Sequence, residues 1–171
     1  LLVEEDSAAL RQRNGEGYLP FHCACRYSGN AGVVRSVLAA YPEAFAARTD
    51  QQSLCLHLAC ANTTAAASAI VGMLLEMDPM APQQKGKNGL LPMQCACCHS
   101  DNTEVVRSLL VAHPEAVTAR DNDRDLPLHY ACMNTTAAAS AIVGLLLEAD
   151  PEALRLQQLN CEGCLPLHYA C

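Results

Sequence analysis

The sequence predicts an all-α fold, a solenoid of helix-turn-helix repeats joined by short hairpin loops, and three observations carry that reading. A seven-residue pattern returns five times: Leu19-Pro20-Phe21-His22-Cys23-Ala24-Cys25, Leu54 to Cys60, Leu91 to Cys97, Leu126-Pro127-Leu128-His129-Tyr130-Ala131-Cys132, and Leu165 to Cys171. Its fourth residue falls at His22, His57, Gln94, His129 and His168, in steps of 35, 37, 35 and 39 residues. An apolar doublet followed two residues on by another recurs at Val33-Val34 with Val37-Leu38, Ile70-Val71 with Leu74-Leu75, Val105-Val106 with Leu109-Leu110, and Ile142-Val143 with Leu146-Leu147. That spacing is one face of a helix. Self-similarity at such a period means that each unit buries its apolar face against its neighbours.

The elements follow in order within each repeat. Proline in the first helical turn loses no hydrogen bond and presets φ, so the first helix starts at Pro20, Pro92, Pro127 and Pro166, with Cys55 in the same slot. The second helix carries the doublets, which begin 11 residues after the landmark in two repeats and 13 in the other two. Short and long repeats therefore alternate, and the long ones carry two extra residues before their second helix. Asn62 to Gly72 is identical to Asn134 to Gly144, one double period of 72 later, which points to duplication of a two-repeat unit. Prolines in Tyr41-Pro42-Glu43-Ala44, Met77-Asp78-Pro79-Met80, His113-Pro114-Glu115-Ala116 and Ala149-Asp150-Pro151-Glu152 stop the second helices. Asn62-Thr63-Thr64 and Asn134-Thr135-Thr136 fit glycosylation sequons in a secreted chain, but are read as polar turns at the start of the second helix.

This pattern resembles the ankyrin repeat, with its Thr-Pro-Leu-His-x-Ala-Ala signature and a leucine-rich second helix about 20 residues on. The resemblance covers nearly the whole chain and implies that His22, His57, His129 and His168 tie neighbouring repeats together by hydrogen bonds, with Gln94 as an amide substitute. Leu19, Leu54, Leu91, Leu126 and Leu165 stand where the family has threonine, a loss of about 1 kcal/mol of capping per repeat if nothing replaces the hydroxyl. Gly17, Gly89 and Gly163 match the family's hairpin glycine, whereas Gln52 and Arg124 replace it in the long repeats, which argues against tight positive-φ turns there. The predicted organisation is a partial repeat over 1–14, repeats over 15–49, 50–86, 87–121 and 122–160, and a partial repeat over 161–171. Leu1 to Arg11 aligns with Leu145 to Arg155, so both ends cut through a repeat and the chain reads as an internal fragment of a longer array.

Composition narrows the function. The chain of 171 residues is 51% hydrophobic, with no 20-residue apolar run to span a membrane. A net charge of -7, with Lys85 and Lys87 the only lysines, disfavours nucleic acid, whose recognition rests on clustered positive charge. The eleven cysteines read as free thiols of a reducing, intracellular and cytoplasmic setting. Five of them, Cys25, Cys60, Cys97, Cys132 and Cys171, recur at one small inward position and behave as small hydrophobes. Cys161-x-x-Cys164-x-x-x-His168-x-x-Cys171 has zinc-type donors and is the alternative metal or redox site, although His168 and Cys171 already belong to the repeat. Cys95, Cys98 and His99 share a helical face but offer three donors on one short helix. No catalytic constellation appears, and no cofactor is expected.

The expected function is therefore a protein-interaction scaffold rather than an enzyme, with a passive spacer as a further alternative. In the ankyrin family, contact residues flank the hairpin glycine and follow the first-helix alanine pair, on a concave strip. Carried over by position these are Glu16, Tyr18, Arg26 and Tyr27; Gln51, Ser53 and Ala61; Asn88, Leu90, Cys98 and His99; and Asp123, Asp125 and Met133. Tyr18, Arg26 and Tyr27 are the expected hot spots, since Tyr and Arg dominate interface energies.

Overall fold

The computed structural model describes residues 8–154 and 159–169. Four helix pairs follow one another: α1 (Pro20–Tyr27) with α2 (Ala31–Ala40), α3 (Cys55–Cys60) with α4 (Ala67–Met77), α5 (Pro92–His99) with α6 (Thr103–Ala112), and α7 (Pro127–Met133) with α8 (Ala139–Ala149). First helices stack on first helices and second on second along the array, and the described residues contain no strand. Residues 8–11 are helical, and the remainder of the expected N-terminal helix, 1–7, lies outside the described residues. Turns of 3-10 helix follow the second helices at Pro42–Phe45, Ala81–Gln83, Pro114–Thr118 and Pro151–Leu154. Three of them begin at the predicted stop proline, because its ring cannot continue the α-helix.

The core is a continuous file of side chains from both helix layers: Phe21, Leu56, Ile70, Leu74, Met93, Leu109, Leu128, Ile142 and Leu146 are fully buried. Cys25, Cys60 and Cys97 fill the small inward position as expected, Cys132 is half-buried there, and Cys171 lies outside the described residues. Burial pushes the thiols of Cys55 and Cys95 up to about 12 and lifts Cys25, Cys60 and Cys97 above the ordinary thiol range. These groups are inert packing atoms at neutral pH.

The missing capping threonine is replaced by the landmark histidine itself. Leu19, Leu54 and Leu126, in extended backbone before each first helix, donate their N–H to Nδ1 of His22 (3.1 Å), His57 (3.3 Å) and His129 (2.9 Å). Leu91 donates equally to Oε1 of Gln94 at 2.9 Å. A leucine side chain has no acceptor, so this is the back-reaching half of a capping box without its reciprocal partner. Because Nδ1 accepts, the proton sits on Nε2, which donates to a carbonyl: Ala47 for His22 (3.0 Å), Leu90 for His57 (3.2 Å) and Cys164 for His129 (3.2 Å). Gln94 Nε2 donates to the Ala119 carbonyl at 3.2 Å.

The hairpins keep one geometry despite their sequences. Gly17 and Gly89 have φ of 76° and 75°, and Gln52 and Arg124 adopt 58° and 65°, contrary to the expectation that losing glycine argues against positive φ. The same bonds accompany the left-handed conformation at both positions, and Arg13 gives a guanidinium N–H to the Gly17 carbonyl in the same way. Gln52 and Arg124 donate their N–H groups to the Thr49 and Asp121 carbonyls, and Arg48 and Arg120 each donate a guanidinium N–H to the carbonyl of the strained residue.

Long and short pairs also differ at the second helix. In the short pairs Asn30 and Asn102 cap α2 and α6, accepting from Gly32 N–H (2.8 Å) and Glu104 N–H (2.9 Å). In the long pairs the residues before α4 and α8 are Ala66 and Ala138, which offer no side-chain cap. There Asn62 and Asn134 organise the turn, accepting from Thr64 N–H and Thr136 N–H. Both asparagines are buried and their amide nitrogens are engaged, so the folded chain presents no glycosylation acceptor at these sequons.

Candidate interaction face

Hairpins and first helices together build one face. At its N-terminal part, Tyr18 is half-buried with its ring edge-on to His22, centroids 6.2 Å apart, and burial followed by the charges of Tyr27 and Glu16 raises its hydroxyl. The Arg26 guanidinium lies 5.6 Å from the centre of the Tyr27 ring, which is 64% exposed. Tyr18, Arg26, Tyr27, Glu16 and Cys23 thus form one cluster, joined by the electrostatic coupling of Tyr18 to the other four.

The middle of the face is flatter. Gln51 is exposed, Ser53 is half-buried with its N–H on Thr49 Oγ1 at 3.2 Å, and Ala61 is turned into the core at 6% exposure. Ala61 offers no usable surface. Asn88 is exposed at φ 55°, and its carbonyl accepts from the Asn122 N–H at 2.9 Å. Leu90 is half-buried, as is Cys98, whose thiol burial raises. His99 is exposed, and partial burial together with the Arg26 charge lowers its pKa. Arg26 therefore acts across the intervening helix pair onto α5.

The C-terminal part is acidic. Asp123 is exposed, its carbonyl accepting from the Cys161 N–H. Asp125 accepts from Asn160 Nδ2 at 2.9 Å and lies 3.9 Å from His129 Nε2, while Met133 is 36% exposed. Sequence reasoning passed over Tyr130, which sits one residue after the landmark histidine. It donates its hydroxyl to Asp121 at 2.6 Å, and burial and that carboxylate hold it strongly protonated. The signal was the recurrence of that position, Cys23, Leu58, Cys95 and Tyr130, beside the half-buried hairpin residues.

The alternative metal set is not gathered among the described residues. His168 uses Nδ1 to accept from the Leu165 N–H at 2.8 Å, Cys164 is half-buried with its N–H on Asn160 Oδ1, and Cys171 lies outside the described residues. Among the described residues no group of three or more potential ligands is placed to hold a metal. The exposed Cys161 is raised by desolvation and by the carboxylates of Asp123, Glu162 and Asp125, the reverse of what a redox thiol needs. Ten cysteines among the described residues are free. No helix of the described residues is long and apolar enough to cross a membrane.

The family model for ankyrin repeats, in three copies, matches residues 56–153 and 93–171, which together span more than half of the chain. No curated protein matches it.

Proposed function

We propose that this chain, which belongs to the ankyrin-repeat family, binds a protein partner through the face made by its hairpins and first helices. Ankyrin repeats are in general protein-interaction modules, and the observation that supports this face is the Tyr18, Arg26 and Tyr27 cluster. Its two aromatic rings and guanidinium take no part in the capping and carbonyl bonds that hold the repeats together, while the backbone beneath them is fixed by those bonds. Binding then costs little ordering of the chain. The remaining contact residues in this reading are Glu16, Gln51, Ser53, Asn88, Leu90, Cys98, His99, Asp123, Asp125 and Met133. The free thiols support an intracellular, cytoplasmic setting, and the net charge of -7 supports a protein rather than a nucleic acid. In this reading the chain has no catalytic role.

The test is affinity purification with mass spectrometry on the wild-type chain and on the Tyr18→Ala, Tyr27→Ala double variant, with melting temperature as the folding control. A partner whose affinity falls about tenfold or more, in a variant that remains folded, supports the face. Undiminished capture of every partner removes it.

A further inference from the structure

We propose that the array is assembled from two rigid units, each a short helix pair followed by a long one, and that the seam between α4 and α5 is the joint at which the interaction face bends. The inference begins with Asn62, fully buried, whose Nδ2 donates to the Cys25 carbonyl (2.9 Å) and the Ser28 carbonyl (3.1 Å) of the preceding pair. Thr64 adds its hydroxyl to the same Ser28 carbonyl at 2.9 Å. The arrangement returns one double period on, where Asn134 donates to Cys97 (2.8 Å) and Ser100 (3.0 Å), and Thr136 to Ser100 (3.1 Å). Each long pair thus clamps the short pair before it along the edge that connects first and second helices.

The opposite edge repeats the grouping independently. Gly17 of the first short pair lies against the Asp50 carboxyl, and Gly89 of the second against Asn122, so closely that a Cβ on either would collide. The hairpin glycine is therefore needed where a long pair closes on a short one. Gln52 and Arg124, at the same position in the long pairs, carry full and exposed side chains.

Between α4 and α5 the Asn clamp is absent, and the close glycine is Gly86, which lies against the His57 ring on the hairpin edge. The residues that correspond to Asn62 and Thr64 are His99 and Asp101, and the Ser100 hydroxyl bonds locally, to the Asn102 carbonyl at 3.1 Å. Among the described residues no hydrogen bond joins 61–66 to 99–103, and an open groove flanked by Thr63, Thr64 and Ala65 on one side of the seam and Asp101, Asn102 and Thr103 on the other continues to Ala137 and Ala138 of the next long pair. What crosses this seam is apolar packing and, on the hairpin edge, the His57 donation to the Leu90 carbonyl at 3.2 Å, beside the Arg48 donation to the Lys85 carbonyl at 2.9 Å. A seam tied along one edge and open along the other is a hinge. Its functional consequence rests on the proposed interaction face: Tyr18, Arg26, Tyr27, Gln51 and Ser53 ride on one unit, and Asn88, Leu90, Cys98, His99, Asp123, Asp125 and Met133 on the other. A partner that touches both selects one angle of the joint.

Hydrogen exchange by mass spectrometry tests the units without any partner, so failure of the joint and failure of the interaction face are distinguishable. The full chain would be compared with Asn62→Ala and Asn134→Ala, and with the milder Thr64→Val and Thr136→Val, which each remove one bond and keep the side-chain shape. Asn62→Ala is expected to accelerate exchange about tenfold or more in α1 to α4 and less than about threefold in α5 to α8, and Asn134→Ala to do the reverse. Acceleration spread evenly over both halves, or confined to the half that was not altered, would overturn the proposal. Should an Asn variant fail to fold, the valine variants are read by the same criterion.

Discussion

The histidine at position 57 makes a quantitative claim about acid. His57 is 2% exposed, its Nδ1 accepts from the Leu54 N–H, and its Nε2–H is given to the Leu90 carbonyl. A second proton would have to go on Nδ1, where it would face another N–H. Burial, with the nearby Arg48 charge, accordingly brings the ring down from 6.5 to about 4. The unfolded chain binds the proton at the ordinary value, so this contribution to stability is present above about pH 6.5 and is lost as pH falls toward about 4. At about 1.4 kcal/mol per pH unit the full loss is roughly 3 kcal/mol, of which roughly 2 kcal/mol is expressed at pH 5. Gln94 supplies the control within the same molecule. Its amide accepts from the Leu91 N–H and donates to the Ala119 carbonyl, performing both tasks without titrating. His57→Gln is therefore expected to stay within about 1 kcal/mol of wild type at pH 7 and to lose roughly 2 kcal/mol less than wild type on going to pH 5. Urea titrations followed by circular dichroism at the two pH values measure the difference. His22 and His129, also lowered by burial, titrate in both proteins and cancel. Equal losses in the two proteins would refute the tautomer argument.

Two further outcomes follow from the same geometry. Gln52→Gly, which removes a side chain from backbone at φ 58°, is expected to raise the unfolding free energy by roughly 0.5–1 kcal/mol, whereas Gly17→Ala, at φ 76° against the Asp50 carboxyl, is expected to lower it by more than about 1 kcal/mol; thermal unfolding of both decides. Cys161, exposed, is expected to be alkylated in the native chain, while Cys25, Cys60 and Cys97 react at the rate of opening of the array; mass mapping over time that found the buried thiols reacting as fast as Cys161 would contradict the packing.

The repeat itself was fully legible, because the heptapeptide and the apolar doublets report the two periodic constraints that matter, the start of the first helix and the buried face of the second. The inward cysteines were legible for the same reason, as residues recurring in register. Two features were not. The positive φ at Gln52 and Arg124 comes with guanidinium bonds from Arg48 and Arg120, four residues upstream in each case, to the turn carbonyls, as Arg13 makes to Gly17; residue type at the turn alone does not report it. The role of Asn62 and Asn134 was read as local turn chemistry, whereas each also bonds carbonyls 34 to 37 residues earlier. Side chain to backbone bonds of that reach leave no pattern at the acceptor end, since every residue has a carbonyl. Of the proposed interaction face, the Tyr18 cluster stood out as residue types at the right register, while Ala61, placed on it by alignment, is buried at the C-terminal end of the short α3.

The alternation of long and short repeats then has a physical reading beyond its history as a duplication. The two extra residues of a long repeat remove the Asn cap seen at Asn30 and Asn102, leaving α4 and α8 to begin at alanine without a side-chain acceptor. That local loss is about 1 kcal/mol. In exchange the longer connection carries Asn62 and Thr64, and later Asn134 and Thr136, far enough to reach the previous pair, where each buried bond to a carbonyl contributes on the order of 1 kcal/mol and leaves a costly unsatisfied group if removed. Three such bonds outweigh one cap, so the longer connection trades helix-end stability for coupling between repeats. The coupling is directional, since only the long pair of each unit owns the reach. An array of this kind is stiff inside each two-pair unit and compliant between units, and the proposed interaction face takes on both properties: fixed local spacing for its contact residues, and an adjustable angle between its two halves.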